Sequence, residues 1–439
     1  MKRIHAFLSL ASALAAGCSG SAPPPAAPPA EAASPAQPPA PANTRAPARS
    51  PASEPRRLRV ALYPYVPDYK GMKELVTAAF KKERPHTALE LVDLGNYYKP
   101  AEKDSIVQSD AHVIEIDSVF LDDLLPTLQP LPPSVGLSDA DFHPAAVSVG
   151  KKGDGWVTVP HWLCSNFLFA TREAAPKLKT FSDLQRLARG SLPAAGLLVD
   201  LMGSSTLGEL YFDAQVDAAF DVARAIPAGD PLAVGGTPGL KALLALRGLC
   251  AGEFCRSDLY HDDPSMYGRL MARKRGVALV GYSEILNAFV DEARSKCGGA
   301  PCLDEGALEV LPFALSDRGD RPFVWVDSLG VKSSCTGDCL EDAAAFLAMM
   351  NRDDLLRAAL IPEGGAAPRY LMPAKQTLNA ALDRAAPYYT KLRPIVAGAA
   401  PARGPNLGAT LRAIGGKIDG ELAKAAPPTI TPSAPDEIR

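Results

Sequence analysis

Of the eight cysteines in the chain, seven have a ready explanation that needs no chemistry and one does not. Cys164 lies in TVPHWLCSNFLFA (158–170), an apolar and aromatic stretch between two strand-like runs. Cys250 and Cys255, Cys297 and Cys302, and Cys335 and Cys339 form three close couples in turn-rich sequence, and Cys18 stands near the N-terminus. A thiol left over where disulfides can form risks mispairing, so it suggests use as a nucleophile; the plainer alternative is a buried, inert cysteine.

The thiolate is the attacking species, so such chemistry needs a proton acceptor. His161 is nearest in sequence, but an odd offset along a strand sends two side chains to opposite faces, and it reads as structural. Glu284 leaves an apolar strand at a Gly-Tyr-Ser turn, a position from which side chains enter an α/β cleft. A carboxylate raises the pKa of a nearby thiol, so the chemistry it suits is proton removal concerted with attack. A solvated glutamate at a helix N-terminus, favoured by the dipole, is the other reading of Glu284.

Tyr63, Tyr65, Tyr97, Tyr98, Trp162, Tyr282 and Trp325 fall at strand ends or on strands entering the same cleft. Rings with few basic residues among them suit a flat, cationic heteroaromatic ligand held by stacking and cation–π attraction. Asp117 and Asp327 could bind ring nitrogens or offset the positive charge. Taken singly, each of these residues also reads as an ordinary core aromatic or a helix cap.

The elements that position these residues follow from periodicity. A first strand starts near Arg57, and a helix over 70–83 carries Met72, Leu75, Val76, Ala79 and Phe80 on one face. Strands follow at 88–94 and up to Ile116, where Asp117-Ser118 is placed to cap a helix. Later segments predict strands at 196–201 and 277–281, a helix running to about Ala223, another at 238–249, and a long strand through FVWVDSLGV (323–331). Helices at 340–360 and 376–391 close the body. Alternating strands and helices with two crossings predict an α/β fold of two lobes with the ligand cleft between them, on the plan of a type II periplasmic binding protein. Lobe 1 is expected over 57–163 and 328–390, lobe 2 over 164–327, a C-terminal helical segment over 391–425 and a disordered tail over 426–439.

The chain has 439 residues, of which 47% are hydrophobic, enough for a sizeable core. A net charge of −3 gives no electrostatic footprint for nucleic acid. Lys2 and Arg3 followed by a short apolar run read as a secretory signal over 1–18. Cys18 then becomes either a lipidated N-terminal residue or a bystander in an ordinary cleaved signal. Residues 19–56 are Pro- and Ala-rich and too poor in apolar bulk to fold, which predicts an extended tether. Export permits disulfides within the three couples; zinc is the competing reading, disfavoured because no couple has histidines at ligand spacing.

With these residues in place the chain resembles thiaminase I (thiamine pyridinylase). The resemblance is carried in order by LYPYVPD (62–68), VDLGNYY (92–98), IDSVFLD (116–122), VPHWLCSNFLF (159–169), LLVDLMGSSTLGELYFDA (197–214), VALVGYSE (277–284) and FVWVDSLGV (323–331). It implies that Cys164 is the nucleophile and Glu284 its general base. It places Tyr63, Tyr65, Tyr97 (or Tyr98), Asp117, Tyr282 and Asp327 on pocket positions, with Trp325 where a tyrosine is common. The implied substrates are thiamine or a related pyrimidine plus an amine or thiol as second nucleophile, without metal or organic cofactor. The overall expectation is an exported, lipid-anchored monomer acting as a transferase. A non-catalytic thiamine- or pyrimidine-binding lipoprotein serving an ABC-type transporter is the alternative.

Overall fold

In the computed structural model the described residues are 56–192, 195–226, 229–250 and 254–425. The signal, Cys18 and the tether, expected within 1–56, fall outside them apart from Arg56, and so does the tail expected over 426–439.

Strand β1 (Arg56–Ala61) leads through a tyrosine-rich turn into α1 (Tyr69–Glu83). Asp68 starts that helix by accepting from the Gly71 N–H at 3.1 Å, and the helix buries Met72, Val76 and Phe80, one stripe at four-residue spacing. β2 (Thr87–Leu91) and β3 (Val113–Asp117) follow, both parallel to β1. Every residue of β3 is buried, as for a strand covered on both faces. Helices α2 (Ser118–Leu124) and α3 (Pro144–Gly150) and a small hairpin, β4 (Lys151–Lys152) with β5 (Gly155–Trp156), precede β6 (Thr158–Cys164).

The chain then crosses to a second sheet. β7 (Phe167–Thr171) pairs antiparallel with β9 (Gly276–Gly281), which pairs in parallel with β8 (Gly196–Leu198). β10 (Leu308–Pro312) closes the other edge against β7. Around this four-stranded sheet lie α4 (Phe181–Ser191), α5 (Ser204–Ala219), α6 (Pro238–Arg247), α7 (Asp258–Asp262), α8 (Ser265–Ala272) and α9 (Ile285–Arg294). β11 (Phe323–Val331), buried along its whole length, returns to the first sheet between β3 and β6 and antiparallel to both. Its order is β12-β6-β11-β3-β1-β2, where β12 is Met372–Pro373, and β13 (Ala400–Pro401) pairs with β11 off that path.

The remaining helices are α10 (Asp338–Met350), α11 (Asp353–Leu360), α12 (Asn379–Ala385), α13 (Tyr389–Val396) and α14 (Leu407–Lys424). α14 lies against α5 at backbone distance. A Cβ added at Gly415 would sit 1.8 Å from the Ser204 carbonyl oxygen, and one at Gly208 would sit 2.1 Å from that of Leu411. Only glycine permits that approach.

The sheets move several expected boundaries. Cys164 is the last residue of β6 and so belongs to the first sheet, and the first crossing is at 165–166. The return expected at 327/328 falls inside β11, all of which pairs in the first sheet; the second crossing is therefore 313–322. β8 stops at Leu198, short of 201, because its neighbour β9 supplies partners only to Gly196, Leu197 and Leu198. α5 ends at Ala219, before 223, where Phe220 takes a left-handed conformation with φ 57°. Disulfides join Cys250 to Cys255, Cys297 to Cys302 and Cys335 to Cys339, with Cα separations of 5.9, 5.7 and 5.2 Å. Cys164 is the free cysteine of the described residues.

Candidate active site

Two strand ends and the middle of a third strand, all in the first sheet, bring the central groups together. Cys164 closes β6 directly opposite Trp325 of β11, and Asp327, two residues on and on the same face, reaches the thiol. The Cys164 Sγ–H donates to Asp327 Oδ2 at 3.3 Å. Asp327 is itself opposite Asp117, the last residue of β3.

A register shift separates Cys164 from its neighbour His161. Asp327 pairs with Trp162 but Ser328 pairs with Pro160, so His161 is the extra residue of a bulge. Its ring turns to Glu115, with Nδ1 2.5 Å from Oε1, and stacks on Trp162 at 3.8 Å between centroids. Glu115 also accepts the Tyr63 N–H at 2.8 Å, which fixes the first residues of the tyrosine turn after β1.

Asp117 serves two ends at once. Its Oδ1 caps α2 by accepting from the Val119 N–H at 2.9 Å, and its Oδ2 accepts from the Tyr98 hydroxyl at 3.0 Å. Burial pushes its carboxyl up to about 6. Asp327 is pushed well up too, by burial first and then by the charges of Asp117 and Glu115. Two carboxyls side by side in the interior resist double ionisation. Asp327 Oδ1 is buried and has no hydrogen-bond partner among the described residues.

Glu284 sits at the exit of β9, at the N-cap position of α9. Burial raises its carboxyl to about 7, opposed by a backbone hydrogen bond. The Cys164 thiol is raised well above the ordinary range, by burial first, then by the charges of Asp327, Glu284 and Asp117. Asp327, and not Glu284, is the hydrogen-bond partner of the thiol at rest.

The tyrosines divide by exposure. Tyr65 is 50% exposed and stacks on Tyr98, with centroids 5.7 Å apart and planes 21° from parallel. The Tyr63 hydroxyl lies 3.3 Å from that of Tyr98. Tyr97 is fully buried, and its hydroxyl is occupied by backbone: it donates to the Glu115 carbonyl at 3.0 Å and accepts from the Asp117 N–H at 2.8 Å. Tyr97 thus sets the end of β3, while Tyr98 carries a hydroxyl to Asp117. Trp325 is buried between Phe212 and Phe323, each 5.4 Å away, and its Nε1 has no partner among the described residues.

Tyr282 meets a residue that the sequence reading missed. Its hydroxyl donates to Glu209 of α5, whose carboxyl burial and the Asp117 charge push up to about 8. The sequence carried no local signal for it: Glu209, Asp213 and Asp217 stand at four-residue spacing and read as a polar helix face, although the residues from Leu210 to Asp217 are all buried. Glu115 was missed in the same way, as a carboxylate inside an all-buried strand.

Among the described residues one acidic group has the spacing of a metal site, Asp213, Asp217 and Asp320, with ligand atoms within 4.8 Å of one another. Both oxygens of Asp217 already accept backbone N–H groups, from Leu315 at 2.6 Å and Arg321 at 2.8 Å, which anchors the second crossing segment. Among the described residues no helix is long and apolar enough to cross a membrane.

No family model matches the sequence. The chain is 27% identical over 364 residues to Thiaminase-1 of Paenibacillus thiaminolyticus, covering 79% of this chain and 83% of that one. Its fold is similar to that of Clostridium botulinum thiaminase I in complex with thiamin, with a TM-score of 0.71 and 21% identity over 84% of this chain and all of the other. It is also similar to an ABC transporter solute binding protein from Agrobacterium radiobacter K84 in complex with ribitol, at a TM-score of 0.65 and 14% identity over 85% and 95% of the two chains. The fold is the two-lobed α/β plan of the periplasmic solute-binding proteins, and the chain is homologous to thiaminase I along most of its length.

Proposed function

From that homology and the site's geometry, we propose that the chain is a thiaminase-I-like transferase. It cleaves thiamine, or a closely related pyrimidine, and passes the pyrimidinylmethyl group to a second nucleophile. The single observation that carries this reading is the unbridged Cys164 thiol against Asp327, in a site shared with Asp117 and Glu284.

In this reading the thiol adds to C6 of the aminopyrimidine and its proton passes to Glu284. A thiol held protonated at rest must lose its proton as it attacks, and a carboxyl near 7 can accept one at neutral pH and return it. The electrons pushed into the ring expel the thiazole from the bridging methylene. An amine or thiol then captures the methylene, and Cys164 leaves with its proton restored. Asp117 and Asp327, both raised by burial, suit hydrogen bonding to the pyrimidine nitrogens and stabilise its protonated form. Tyr63, Tyr65, Tyr98 and Tyr282 supply faces and hydroxyls for a flat ring, whereas Tyr97 and Trp325 act by holding the strand ends. We further assign Cys18 as a lipidated anchor for an exported domain; a Cys18→Ala variant is then expected in the soluble rather than the membrane fraction.

The test is base exchange with thiamine and aniline. Wild type is expected to turn over, and Cys164→Ser to lose turnover by at least about 10³-fold while still binding thiamine. A wild type that binds thiamine without turnover instead establishes a non-catalytic binding lipoprotein.

A further inference from the structure

The second half of the proposed transfer releases a proton that Glu284 cannot take. Glu284 holds the thiol's proton from the first half and returns it only as Cys164 leaves. An amine that captures the methylene becomes a cation, and until it sheds its N–H proton it remains a good leaving group. A thiol must lose its S–H proton to attack effectively. Another acceptor is needed.

Glu209 is the carboxyl of the site that the other contacts leave over. Asp117 caps α2 and holds Tyr98, Asp327 accepts from the thiol, and Glu115 is bound to His161 and the Tyr63 N–H. Among the described residues Glu209 has one polar contact, the Tyr282 hydroxyl on Oε2, and neither oxygen has an ion pair. Its neighbours Leu207, Gly208 and Leu210 on α5 are buried, yet Glu209 keeps partial access to solvent. The charged and titratable groups around it are Tyr282, Tyr98, Asp117 and, on α14, Arg412.

Its place relative to the sulfur suits the incoming group. The charges that act most on the thiol are Asp327, Glu284 and Asp117, whereas Tyr282 feels both Glu209 and Cys164. One tyrosine ring thus reaches from the sulfur's surroundings to Glu209. The sulfur holds the pyrimidine through C6 and the methylene is on the adjacent ring carbon, so the nucleophile arrives about one ring's width from the sulfur. Burial and the Asp117 charge raise the Glu209 carboxyl to about 8, a range in which it can take up a proton and pass it to solvent.

We propose that Glu209 is the second proton acceptor of the transfer, serving nucleophiles that carry a proton on the attacking atom: primary and secondary amines, and thiols. The inference rests on the transferase reading and names the class of its second substrate. The nucleophile's lone pair forms the bond to the methylene, and its N–H or S–H proton passes to Glu209. The electrons this sends into the ring expel Cys164, which recovers its proton from Glu284. Glu209 then releases its own proton to solvent.

The test sets aniline against pyridine, aromatic bases of similar strength of which only aniline has a proton to lose. Thiamine is the other substrate, and wild type is compared with Glu209→Gln and Glu209→Asp. The ratio of kcat/KM for aniline over pyridine is expected to fall at least about tenfold in Glu209→Gln and to recover in part in Glu209→Asp. In wild type the same ratio should climb with pH through about 8, as Glu209 ionises, a readout that depends on no variant folding. A ratio that Glu209→Gln leaves unchanged, or a wild-type ratio flat with pH, overturns the proposal and leaves the transferase reading standing. If wild type turns over neither nucleophile, the transferase reading fails and this inference falls with it.

Discussion

At the scale of single residues, burial is what sets the chemistry. Glu284, Asp117, Asp327 and Glu209 all hold protons more tightly than carboxylates in water, because burial strips solvent from the charged form. The proposed base must be ionised to act, and its ionised fraction grows as pH rises through its pKa. The kcat/KM profile is therefore expected to climb with pH and level off above about 7. Glu284→Gln should lose that limb and fall by about 10²–10⁴-fold. If Asp327→Asn removes the limb while Glu284→Gln keeps it, the base is the thiol's own hydrogen-bond partner. The sequence displayed Cys164, Glu284 and Asp117 because polar residues at the ends of apolar strands stand out, and Asp327 because it is a lone carboxylate within one. It hid Glu209 and Glu115, whose surroundings become apolar only once helix and sheet have packed.

At the scale of elements, close backbone contact decides where α14 sits. A Cβ at Gly415 would strike the Ser204 carbonyl, which belongs to backbone and cannot swing aside, whereas one at the neighbouring Gly416 meets nothing within 4 Å. Gly415→Ala is expected to cost about 1–3 kcal/mol by separating α14 from α5, and Gly416→Ala to gain about 0.5–1 kcal/mol from helix propensity. Denaturant unfolding of the two variants checks both signs; equal effects would contradict the packing. Strand and helix identities were largely legible, since β11 and α1 show their burial patterns in sequence. The bulge at His161 was not, because a register slip depends on the partner strand and leaves no local mark. Nor was the choice between Tyr97 and Tyr98, adjacent residues of one type that differ only in which hydroxyl the backbone of β3 captures.

At the scale of the whole molecule, two sheets joined by two short crossings place residues from both sides around one thiol. Cys164, Asp327 and Asp117 come from the first sheet, and Tyr282 and Glu284 follow β9 of the second. This convergence was readable as a plan from the alternation of strands and helices, but the point of return was not. β11 is apolar on both sides of Asp327, so sequence alone gave no reason to prefer an entry at Phe323. The account depends most on Cys164 being the reacting group. Its most direct test is the intact mass, with peptide mapping, of the wild-type protein treated with a 6-chloropyrimidine analogue of thiamine. The result predicted is one adduct per chain, on Cys164, that excess thiamine slows and Cys164→Ser abolishes; an adduct on any other residue, or none while thiamine is being turned over, would contradict it.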